Sequence, residues 1–160
     1  AEQEKLPKEV ISVMAAVGML SHTGSLILYA YRANEMAEVI KRVETEDIPI
    51  NVAERDQFGA SHPEIGAYLL GLWGFPSAMV QTVAYHHRPQ DTRHTEMNAL
   101  SAIYIAQHLA REVAIESRTG QAPESRIDLE YLERLGKANR LPVWREIARV
   151  VEEKYREMDM

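Results

Sequence analysis

Apolar residues recur along this chain at intervals of three and four almost from end to end, and two-residue alternation is nowhere sustained. That period predicts an all-α fold, a compact bundle of about seven or eight short helices. The first helical segment runs from about Pro7 to Arg32 and carries Val10, Val13, Met14, Val17 and Leu20, then Leu26–Leu28. Gly18 and Gly24 are expected to break or bend it, since glycine costs about 1 kcal/mol against alanine inside a helix. A second helix, about Asn34 to Glu46, sets Met36, Val39, Ile40 and Val43 on one face. Pro49 enforces a turn, and Asn51 or a neighbour caps a short helix reaching Phe58.

The next boundary is written locally. Ser61 and Glu64 stand in capping-box spacing, with Pro63 in the first turn. Ile65, Leu69 and Leu72 follow on one face, and Gly74 ends the helix. Pro76 opens another with Met79, Val80 and Val83, and Pro89 closes it after His86-His87. The turn Trp73-Gly74-Phe75-Pro76 reads either as a recognition surface or, the preferred reading, as Trp73 and Phe75 anchoring the turn in the core. A longer helix, roughly Glu96 to Glu116, aligns Leu100, Ile103, Ala106, Ala110 and Val113. Residues 117–125, with Gly120 and Pro123, read as a mobile loop. Helices over Asp128–Leu135 and from Pro142 to about Arg156 complete the pattern, with no internal repeat and no sign of a second domain within 1–160.

Composition narrows the classes. With 160 residues, 46% apolar and 26% charged, the chain suits one globular domain with a core. It carries 18 basic against 24 acidic residues, a net charge of −6. The densest basic pair, Lys41-Arg42, is followed at once by Glu44, Glu46 and Asp47, so nucleic acid is not an expected partner. The absence of cysteine removes disulfides and thiolate metal sites and fits a cytoplasmic setting. No single apolar run approaches the ~18–20 residues that span a bilayer, Val10–Leu20 being too short, so no membrane association is expected. A helical pattern starting within a few residues of Ala1 suggests a piece of a longer chain.

The candidate chemistry lies in His22, His62, His86 and His87. His62 falls in the first turn of one helix and His86-His87 in the last turn of the next. The short link Gly74-Phe75 makes those helices antiparallel, so the histidines can meet. Neutral imidazole is the commonest protein metal ligand, which makes a metal cluster conceivable. The plainer reading is that His86 and His87 answer the helix dipole, worth about 0.3–1 kcal/mol, while His62 bonds locally. His94 and His108 read as surface or packing residues. No Ser-His-Asp order, glycine-rich phosphate loop or zinc-protease helix is present, and the adjacent pairs Ser21-His22 and Ser61-His62 point apart on a helix.

Three segments carry a family resemblance. Gly18-Met19-Leu20-Ser21-His22-Thr23-Gly24-Ser25-Leu26-Ile27-Leu28 resembles the "GLLHDIGKLIL" helix of HD-superfamily proteins. "ERDQFGASHPEIGAYLLGLWGFPSAMVQTVAYHHRP" resembles the pattern of the HDOD branch, with its E, FG, H, GA, LL, W, P and terminal HH. "LSAIYIAQHLA" is similar to a segment that usually reads "ivhlADxla". The resemblance spans about Leu6 to Ala110 and implies an all-α HD-type bundle, here a C-terminal portion of the domain.

The departures from the family pattern bear on function. Catalytic HD proteins use a His-Asp dyad, further histidines and a distant Asp to hold a divalent metal that activates water against a phosphate ester. By position, the dyad His is Ser21, the dyad Asp is His22 and the distant Asp is Gln107. His62, His86 and His87 stand where family histidines stand, and Arg88-Pro89-Gln90 replaces the Gly-Tyr-Pro signature of cyclic-dinucleotide phosphodiesterases. Hard ions prefer anionic oxygen, and Glu54 is the one nearby acid that can compensate. The resemblance thus implies a relic site, no catalytic residue and no resident cofactor: a bacterial signalling output module acting through protein contacts, often joined to a receiver or another signalling domain. The alternative is a divergent metal-dependent phosphohydrolase for cyclic dinucleotides or nucleotides, holding a softer ion such as Zn²⁺ on His22, His62 and His86 or His87. A third reading is a sensor with an anion at the helix start Ser61–Glu64. Loss of the family's leading helices would expose apolar surface, covered by a partner copy in a homodimer or by Ala1–Lys8.

Overall fold

The structure, a computed structural model, describes residue 4 and residues 6–158. Residues 1–3 and 5, part of the segment expected to cover apolar surface, lie outside the described residues. Every regular element among the described residues is helical: α1 (Lys8–Leu20), α2 (Thr23–Tyr31), α3 (Ala33–Glu46), α4 (Ile50–Phe58), α5 (His62–Leu72), α6 (Ser77–Tyr85), α7 (Ala99–Thr119), α8 (Leu129–Arg134) and α9 (Leu141–Met158). By contact, the chain divides into two compact units, residues 1–88 and 89–160.

The all-α expectation is met, with one helix more than the pattern suggested. The N-terminal segment is two helices, and the break falls at Ser21-His22, not at Gly18 or Gly24. His22 leaves helical geometry at ψ 11°, and the Ser21 hydroxyl donates to the Gly18 carbonyl at 2.7 Å. Gly24 has a different role. A Cβ there would strike the His62 carbonyl oxygen and crowd the Gly66 nitrogen, while a Cβ on Gly66 would come within 3.3 Å of Gly24 and Val83. Two glycines therefore let α2 cross α5 backbone to backbone.

Other boundaries shift for local reasons. Pro49 holds the cap position of α4 in place of Asn51, its fixed φ setting the entry. The long helix starts at Ala99, not Glu96, because the Asn98 side chain accepts from the Ser101 backbone at 3.0 Å and the Ser101 hydroxyl accepts from the Asn98 backbone. It continues to Thr119, where Gly120 at φ 73° ends it, and Ser125 beyond it bonds Glu112. At the α5–α6 turn Gly74 takes φ 76° and the Phe75 N–H reaches the Leu70 carbonyl at 3.0 Å. Trp73 is 60% exposed, so it does not anchor that turn in the core: the backbone bonds of the turn suffice without it.

In the first unit α5 packs on α2 and α6, and α3 packs on α4. Leu28, Met36, Val39 and Ala53 form an apolar cluster, flanked by Val43, Ile48, Ile50, Phe58 and Ile65. Taken together, α1 and α2 (Lys8–Tyr31, 24 residues) are long and apolar enough to cross a membrane, a criterion met only when the runs on both sides of Ser21-His22 are joined. In the second unit α7 packs on α9, and Tyr104, Leu109, Tyr131, Leu132, Leu141 and Trp144 are among the core residues. Arg145–Glu112 and Arg149–Glu116 pairs lie along the α7–α9 contact.

Candidate metal centre

Three helix ends in the first unit bring the histidines together. His22 precedes α2, His62 opens α5 and His86 follows α6. The Gly24–Gly66 crossing draws His22 to His62, whose rings stack 5.4 Å apart. The short α5–α6 link then brings His86 and His87 back, with ring centroids 5.3 and 5.0 Å from His62. One ligand atom from each of His22, His62 and His86 lies within 4.8 Å of the other two.

The rings are oriented from outside. Glu54 is fully buried, and its Oε2 sits 2.6 Å from His62 Nδ1 and 2.9 Å from the His62 backbone nitrogen. A carboxylate there calls for a proton on Nδ1, so the Nε2 of neutral His62 is an acceptor. His87 Nε2 approaches that atom at 3.1 Å as a donor. His86 Nδ1 lies 2.7 Å from the Val83 carbonyl and must donate to it, which leaves Nε2 as a lone pair. That nitrogen is buried and has no hydrogen-bond partner.

Burial shifts the ring equilibria. His86 is pushed down to about 3, chiefly by desolvation, against the Val83 bond that raises it and with His62 and His22 lowering it further. His22 is also lowered, by desolvation first and then by His62, although its side chain reaches solvent at the rim. Neutral imidazoles are the form that binds a metal ion.

The remaining candidates are arranged differently. Ser21 is buried, and its hydroxyl donates to the Gly18 carbonyl. At the start of α5, Glu64 accepts from the Ser61 amide and hydroxyl at 2.9 and 2.8 Å, and Glu54 accepts from the His62 amide. Carboxylates of the chain thus fill the place that a bound anion would take. Arg55 pairs with Glu64 at 2.8 Å. Gln107 lies on α7 in the second unit. His94 is exposed, and His108 packs against the Tyr104 ring at 4.5 Å, as packing and surface residues do. Sequence reasoning missed the Gly24–Gly66 crossing. A glycine among large apolar residues was its only signal, and that signal read equally as a helix break.

The family model for the HDOD domain matches residues 1–89, more than half of the chain. The chain belongs to the HDOD family. That match coincides with the first unit, so the HDOD segment holds all four clustered histidines. No curated protein matches the chain. Among solved structures, the crystal structure of an HDOD domain protein with unknown function from Geobacter sulfurreducens is similar at 23% identity with a TM-score of 0.63. The alignment covers 87% of this chain and 50% of that one, so the chain spans about half the length of that relative.

Proposed function

We propose that this HDOD chain is a regulatory module that works through protein contacts and does not hydrolyse a phosphate ester. The observation that carries the reading is the position of Glu54. Its Oε2 is engaged by the His62 ring and backbone, on the far side of that ring from Nε2. The cluster itself consists of imidazoles, and Mg²⁺ or Mn²⁺ chemistry on a phosphate ester depends on anionic oxygen ligands. Exposed Met19, Leu26, Tyr31, Leu72 and Trp73 in the first unit offer apolar surface for protein contacts. Such a module belongs in a cytoplasmic bacterial signalling protein, with a receiver or a second copy of the chain as partner chemistry.

The test is turnover of cyclic dinucleotides and of a generic phosphodiester by the full chain with Mg²⁺, Mn²⁺ or Zn²⁺ added. The expected result is none above buffer. Metal-dependent turnover abolished by His62→Ala would overturn the proposal. It would establish the second reading, a divergent phosphohydrolase with a histidine-bound ion, which the convergence of His22, His62 and His86 favours.

A further inference from the structure

We infer that His22, His62 and His86 form a binding site for one transition-metal ion of the Zn²⁺ class, held by neutral imidazole nitrogens, and that the ion ties together the helix ends they occupy. The three ligand atoms already lie within 4.8 Å of one another. Zn–N bonds of about 2.0–2.1 Å place tetrahedral ligands roughly 3.3 Å apart, so the ligand atoms close by about 1.5 Å at most. His22, at the exposed rim, has room to make that movement.

Two further observations point to a ligand. His86 Nε2 is a buried lone pair without a hydrogen-bond partner, on a side chain that is fully buried. Buried side-chain polar atoms are in the large majority hydrogen-bonded, so an unsatisfied nitrogen facing two other imidazoles calls for a ligand. Moreover, His62 and His86 have their Nδ1 atoms held from behind, one by a carboxylate and one by a backbone carbonyl. Those are the outer partners that orient metal-ligating histidines and raise their basicity.

The donor set also selects the ion. Imidazole suits Zn²⁺, Co²⁺ and Ni²⁺, whereas Mg²⁺ and Ca²⁺ require oxygen ligands that this cluster does not present. A fourth position is open to water, or to His87 if the proton that its Nε2 donates to His62, 3.1 Å away, moves to Nδ1.

The inference shares its residues with the function proposed above but stands on their geometry alone. Turnover would overturn that proposal and leave this one standing, and failure to bind metal would do the reverse. The experiment is calorimetric titration of the chelator-stripped full chain with ZnCl₂, and with MgCl₂ in parallel, accompanied by thermal unfolding. The expected result is one Zn²⁺ per chain with a raised Tm and no response to Mg²⁺. His22→Ala, at an exposed position that does not threaten folding, should weaken Zn²⁺ at least about tenfold, and Glu54→Gln about ten- to hundredfold. His94→Ala should bind as the parent chain does. No saturable Zn²⁺ binding, or binding unchanged in both His22→Ala and Glu54→Gln, would overturn the inference.

Discussion

The two units bury different things. The second closes on Tyr104, Ile105, Leu109, Tyr131, Leu132 and Trp144, and Ser101 is its buried polar side chain among the described residues. The first buries Ser21, Glu54, Ser61, His62, Thr82 and His86. Polar groups taken from water cost a few kcal/mol unless hydrogen-bonded, and His86 Nε2 is not. The second unit has an unsatisfied buried atom of its own, the Tyr131 hydroxyl, but only in the first do buried polar side chains converge as a histidine cluster among the described residues. A site that breaks the rules of a good core at one place is the expected mark of function.

The largest expected effect breaks the first unit at its crossing. Gly24→Ala puts a methyl group into the His62 backbone, which cannot yield as a side-chain tip would. The variant should lose about 3 kcal/mol or more, read as a shift of the urea midpoint, and should separate His22 from His62. An unchanged midpoint would mean that α2 and α5 do not cross so closely.

That position also marks the limit of what could be read from the sequence. Helices follow from local period, and the Ser61–Glu64 capping box and the Asp128 cap depend on residues within one turn. The meeting of His62 with His86-His87 was also legible, because the Gly74-Phe75 link is too short for anything but an antiparallel pair. The approach of His22 was not, since it depends on two glycines 42 positions apart fitting against each other. Nor was the role of Glu54 behind His62, which needs the path of the chain through Gly59 at φ 78°. Trp73 was misread for a related reason: a large apolar residue in a tight turn resembles an anchor until neighbouring helices fail to cover it.

The comparison sharpens in acid. His86 titrates at about 3 in the folded chain against 6.5 for an ordinary imidazole. Between those values the unfolded chain takes up a proton that the folded one refuses. The stabilising contribution is therefore complete above about pH 6.5 and is lost as pH falls toward 3, roughly 3 kcal/mol by about pH 4. Half-buried His108 in the second unit is shifted downward too, chiefly by desolvation, so its contribution has the same sign. Urea midpoints measured across this range should fall steeply for the parent chain and less steeply for His86→Gln. Equal slopes would show that burial of His86 does not govern the acid limb.

The smallest effect has the opposite sign and separates two glycines that look alike in the sequence. Gly18 lies inside α1, and a Cβ there meets nothing within 4 Å. Alanine at an unhindered helical position reduces the freedom of the unfolded chain and favours the helix, so Gly18→Ala should stabilise the chain by up to about 1 kcal/mol. The same substitution six positions along, at Gly24, is expected to be the most damaging of the set. The pair is a controlled contrast, since propensity and chain entropy act alike at both sites and only the neighbouring backbone differs. Measured together by urea denaturation, opposite signs would assign Gly24 to the helix crossing that assembles the histidines. Two similar gains would instead mean that α2 has room to spare, and the close approach of His22 to His62 would lose its structural cause.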